Sequence, residues 1–166
     1  IFMQVILILI IKLFNIHDYD IFLKYNLSIM FFNMVPIIPL DGAIILKSIL
    51  NKIFSFKTSY KLYVVISIIN IIIYVGFNYK YSLNNYLIIG IFIYKIINSI
   101  KEYKYIYNRF LLERYLKKYK FKYLNTKVGT LDILKLDTYQ YFKEDKKIVS
   151  EEKKLAERFD KSRYFW

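Results

Sequence analysis

The 166 residues are 57% apolar and 20% aromatic, contain no cysteine and carry a formal charge of +13. Without cysteine there are neither disulfides nor thiolate metal sites. The Ile-, Lys-, Asn- and Tyr-rich composition is the pattern expected of a very AT-rich genome, so part of the basicity reflects mutational bias rather than a binding surface. Charge-free runs far longer than the roughly 10–14 residues of a buried core helix argue against a soluble domain.

In chain order, residues 1–11, "IFMQVILILII", are apolar but too short to cross a bilayer. The chain opens on Ile, with no basic n-region and no small-residue cleavage site. This predicts a first span cut in the middle, its upstream part missing. A polar loop follows at 15–26, "NIHDYDIFLKYN", then an apolar segment at 27–50 that holds Asp41. Lys52, Lys57 and Lys61 mark a basic loop. Residues 62–79 carry no charge, and 83–100 carry only Lys95, near enough to the end to snorkel. The expected fold class is therefore all-α, a polytopic membrane helix bundle over residues 1–100. It has about four spans: the truncated first, then 27–50, 60–77 and 84–100.

Positive charge sets the expected topology. The Lys52–Lys61 loop and the region after Ile100 fall on one side, whereas loops 15–26 and 78–85 hold only Lys24 and Lys80. The C-terminus is expected in the cytoplasm of a bacterial cell. Residues 101–124 hold eight basic and two acidic side chains. Tyr103, Ile106, Tyr107, Phe110 and Leu111 recur at helical spacing. This predicts a separate basic juxtamembrane helix lying on the lipid bilayer surface, and no nucleic-acid partner. Residues 125–166 read as a small cytoplasmic α+β tail: "TYQYF" alternates like a strand, "KEDKK" suits a turn, and Ser150 before Glu151 and Glu152 suits a helix N-cap.

Asp41 is the only charge between Tyr25 and Leu46. A carboxylate at such a place costs roughly 2.5–3.5 kcal/mol on insertion scales. Pro36 and Pro39 withhold backbone donors, and Gly42 permits local unwinding. Broken helices survive in a membrane where they are buried in protein or line a wet cavity. A ligand or metal site and a kinked helix with one structural acid both fit these residues.

The stretch "FFNMVPIIPLDG" resembles the second signature of the site-2 protease family, the intramembrane zinc metalloproteases. The pattern is Asn-x-x-Pro, a second proline, then Asp-Gly. Asn33, Pro36, Pro39, Leu40, Asp41 and Gly42 match it; the family often continues with a second glycine and an Arg or His, where Ala43 and Ile44 stand here. The resemblance implies that Asp41 is a zinc ligand and that Asn33, with Pro36, Pro39 and Gly42 around it, helps position substrate or groups near the metal. It implies regulated proteolysis of a membrane-associated protein, with a regulatory membrane protein as a further partner. Zinc would lower the pKa of a bound water to roughly 7.

Catalytic zinc takes three protein ligands. The family draws two from an H-E-x-x-H helix that also supplies the general base, and this chain has one histidine, His17, in "NIHDYD". That motif is expected upstream, so this stretch alone is expected to be inactive. "YNRFLLERYLKKY" after the last span is similar to sporulation-type members. The alternative is a pseudoprotease or membrane scaffold that binds transmembrane partners without chemistry. A transporter component using Asp41 for ions ranks below both.

Overall fold

The computed structural model describes residues 6–8, 19–77, 83–117, 123–144 and 147–162. The elements in order are helices α1 (Tyr19–Met34), α2 (Asp41–Ile53), α3 (Phe56–Phe77) and α4 (Leu83–Leu116). Strand β1 (Tyr123–Lys127), a 3-10 turn (Leu131–Ile133), β2 (Thr138–Glu144), β3 (Lys147–Ser150) and helix α5 (Glu151–Ser162) follow. His17 lies outside the described residues.

Four expectations are corrected. Residues 19–26, read as part of a polar loop, are the first turns of α1, where Asp20 meets the positive end of the helix dipole. Residues 27–50 do not form one span. They contribute to helices of 16 and 13 residues separated by the proline break. Among the described residues only two helices, Phe56–Phe77 and Leu83–Leu116, are long and apolar enough to cross a membrane, not four. The basic helix expected at 101–124 is also not separate. No glycine or proline interrupts residues 91–116, so α4 runs unbroken through Ile100 and ends at Leu116, and Leu124 belongs to β1.

The chain forms two compact units, Ile1–Leu46 with Val64–Ile96, and Lys47–Tyr63 with Ile97–Trp166. In the first, Phe32, Tyr74 and Phe92 meet with ring centroids 6.2–6.4 Å apart. Such ring pairs add about 0.5–1.5 kcal/mol each beyond area burial. Polar side chains are satisfied within their own helices: the Asn26 amide donates to the Phe22 carbonyl at 3.1 Å, and Asn70 to Ile66 at 2.8 Å. In this unit the outward residues of α3 and α4 are mostly apolar, among them Ile68, Ile72, Phe77, Leu87 and Ile91, with Asn84 and Lys95 exposed between them.

In the second unit the sheet order is β1-β2-β3, with β1 parallel and β3 antiparallel to β2. Thr138–Glu144 is a strand, and the Ser150 hydroxyl accepts the Lys153 amide at 3.4 Å at the start of α5. The core is Phe56, Tyr107, Leu111, Leu131, Leu134, Phe142 and Leu155, with Tyr103, Ile106 and Phe110 packed against it. The apolar stripe read on 103–111 is thus correct in phase but covers a protein core rather than a lipid surface. Beneath it lies an ion pair whose side chains are each 3% exposed. Arg114 Nε donates to Glu151 at 2.5 Å, its other nitrogens donate to the carbonyls of Lys135 and Thr138, and the Gln140 amide donates to Glu151 at 3.1 Å. Burial pushes the Glu151 carboxyl above the usual carboxylate range, against the pull of the Arg114 charge.

Candidate metal-ligand segment

The candidate site is the connection between α1 and α2. Pro36 has no N–H and disfavours helical geometry at Val35, so α1 stops at Met34. The Val35 amide makes the last turn's bond, to the Phe32 carbonyl at 3.2 Å. Ile37 N–H then donates to Val35 at 2.8 Å and Leu40 N–H to Ile37 at 2.7 Å, around an Ile38–Pro39 bond that is cis. Ile37 and Ile38, 1% and 4% exposed, anchor this loop in the interior of the first unit. The break therefore holds backbone hydrogen bonds and buried side chains of its own.

The helix restarts at Asp41. A carboxylate in the first turn is favoured by the exposed N–H groups of a helix start, an effect of about 0.3–1 kcal/mol. Asp41 is exposed, Gly42 is buried, and Ala43 N–H donates to the Leu40 carbonyl at 3.1 Å. A β-carbon on Gly42 would stand 2.0 Å from the Met34 carbonyl oxygen and 2.7 Å from that of Val35. The start of α2 is thus pressed against the end of α1. Asn33 and Asp41 are the chain neighbours of that contact, each one residue before it. Asn33 and Pro36 are half-buried and Pro39 is exposed.

Among the described residues no group of three or more His, Cys, Asp or Glu side chains is placed to hold a metal ion. Asp41 supplies one donor, and a catalytic zinc takes three from protein. The described residues do not complete a zinc site by themselves.

Sequence reading missed a second cluster, in the other unit. The Lys57 ammonium donates to Asp132, and the Tyr107 hydroxyl donates to the other oxygen of that carboxylate at 2.8 Å. The hydrogen bond from Lys57, reinforced by that from Tyr107, holds the Asp132 carboxyl below the usual carboxylate range. Beside it, Phe56 N–H donates to the Leu134 carbonyl at 2.8 Å and Lys135 Nζ to the Ile53 carbonyl at 2.6 Å. In the sequence Lys57 is only a topology charge, and no local pattern joins it to Asp132.

The segment defines a class: an apolar, largely helical chain interrupted at a carboxylate. The comparison is narrower. Over 117 aligned residues the chain is 32% identical to stage IV sporulation protein FB of Bacillus subtilis (strain 168), an alignment that covers 60% of this chain and 35% of that protein. The chain thus spans about a third of that relative's length. No protein-family profile matches it.

Proposed function

We propose that this chain is part of an intramembrane zinc metalloprotease of the site-2 type, and that it contributes the carboxylate ligand Asp41. The single observation that carries the reading is the placement of Asp41 as the first residue of a helix restarted after a proline break, with Gly42 against Met34, within a signature running from Asn33 to Gly42. The likeness to the sporulation protein supports it. By the resemblance, Asn33, one residue before Met34, would help position substrate backbone or groups near the metal. Residues of the full-length protein beyond these 166 would supply the other two ligands and the general base. The apolar outer faces of α3 and α4 support a place in the membrane, and the basic residues after Ile100 support a cytoplasmic C-terminus. The substrate class is a membrane-associated protein.

The test uses the full-length protein purified in detergent, with zinc measured by mass spectrometry and cleavage followed on a membrane-tethered substrate. The wild type should hold one zinc and cleave, and Asp41→Ala should lose both. Equal zinc in the two proteins sinks the ligand assignment.

A second reading, a non-catalytic relative that binds transmembrane partners, is favoured by the missing ligand trio among the described residues. It predicts a full-length protein that binds no zinc yet retains its partners after Asp41→Ala.

A further inference from the structure

The α2–α3 turn belongs to the same unit as the C-terminal tail, although the two are far apart in sequence. Three side chains or carbonyls of the loop at 130–135 hold it. Leu134 offers its carbonyl to the Phe56 amide, Lys135 donates to the Ile53 carbonyl, and Asp132 takes the Lys57 ammonium. Ile53 is the last residue of α2, and the final carbonyls of a helix have no partner within it. A lysine ammonium there also meets the negative end of the helix dipole.

The strengths on the two sides of this seam differ. Inside the tail, Arg114 and Glu151 are 3% exposed; across the seam, Lys57 and Asp132 are 32% and 42% exposed. Buried pairs are costly to break, whereas exposed ones contribute little. Two deep anchors hold this turn from its other side: the Phe56 ring stacks on Phe110 at 4.1 Å, and the buried Tyr60 donates to the Ser99 carbonyl at 2.9 Å. The ion pair of Lys57 with Asp132 and the hydrogen bond from Lys135 to the Ile53 carbonyl are exposed, and solvent-exposed contacts open locally at lower cost than buried ones.

We propose that the loop at 130–135 is a latch on the C-terminal end of α2: closed, it fixes the last turn of the helix that begins at Asp41, and open, it frees that turn while the Phe56 ring keeps its place in the core and the tail stays folded. The mechanical statement stands on this geometry; its consequence for Asp41 rests on the proposed function.

Amide exchange on the full-length protein in phosphatidylethanolamine–phosphatidylglycerol nanodiscs tests it. Asp132→Asn should speed exchange across 50–57, the Phe56 amide included, by up to about fivefold. Exchange across 138–158 should stay within about twofold. The swapped pair Lys57→Asp with Asp132→Lys should restore slow exchange at 50–57. Unchanged exchange at 50–57 in Asp132→Asn overturns the latch, and so does acceleration that extends equally through 138–158. Cleavage by the wild-type protein is read separately. Its absence overturns the proposed protease, while the exchange pattern still decides the latch.

Discussion

Gly42 sits so close to Met34 that the hydrogen it carries in place of a side chain is a condition of the fold, since a β-carbon would lie 2.0 Å from the Met34 carbonyl oxygen. The obstacle is backbone and cannot swing aside.

Gly42→Ala should therefore push α2 away from α1. Overpacking of this kind typically costs about 1–3 kcal/mol, occasionally more. Gly90 is the control, because a β-carbon there meets nothing within 4 Å. Gly90→Ala should be neutral or stabilising by up to about 1 kcal/mol. Thermal unfolding of both variants in detergent, followed by circular dichroism, checks the contrast; equal melting temperatures would falsify the close-contact account.

Phe56→Ala should unfold the tail although Phe56 belongs to α3. The ring is a member of the tail's core, and buried Phe→Ala substitutions cost about 3–5 kcal/mol. Phe54, two residues earlier and 39% exposed, should tolerate alanine within about 1 kcal/mol. Protease sensitivity at 123–162 distinguishes the two outcomes.

Arg114→Met, which leaves Glu151 buried without its partner, should cost about 3–5 kcal/mol. Arg114→Lys should recover only part of this, because one ammonium cannot serve Glu151 and the carbonyls of Lys135 and Thr138 together. Denaturant midpoints of the three proteins give the order wild type, Lys, Met.

Acid should loosen the seam. The Asp132 carboxyl titrates below its unfolded value of roughly 3.9, so the stability it contributes is complete above that value. It is lost as pH falls through the lower folded value. Lowering the pH from 6 to 3 should reduce the unfolding temperature of the wild type more than that of Asp132→Asn. Parallel curves would remove Asp132 from the account.

How much of this was legible beforehand varies with the range of the interaction. The break at 35–40 was readable because proline and glycine act on their immediate neighbours. The strand over 138–142 and the cap at Ser150 were readable for the same local reason, although the strand runs on to Glu144 through two residues of the expected turn. The phase of the stripe on Tyr103, Ile106, Tyr107, Phe110 and Leu111 was correct, but periodicity shows only that a face is covered, not by what. Lys57 and Asp132, 75 residues apart, left no trace that one sequence could reveal. The roles proposed for Asn33, Pro36, Pro39, Asp41 and Gly42 rest on the signature; the structure adds the close approach of Gly42 to the Met34 and Val35 carbonyls.

That 75-residue separation also sets a schedule. Nearly all of α3 and the whole of α4 are made between Lys57 and Asp132, so a ribosome adding about 5–20 residues per second takes roughly 4–15 s to deliver the partners of the turn. Phe56 is made before that interval, Tyr107 and Leu111 late in it, and Leu134, Phe142 and Leu155 only after it. A newly made chain therefore passes through a stage in which its helices exist while the turn between two of them is uncovered, a stage open to chaperones and proteases that the finished fold conceals.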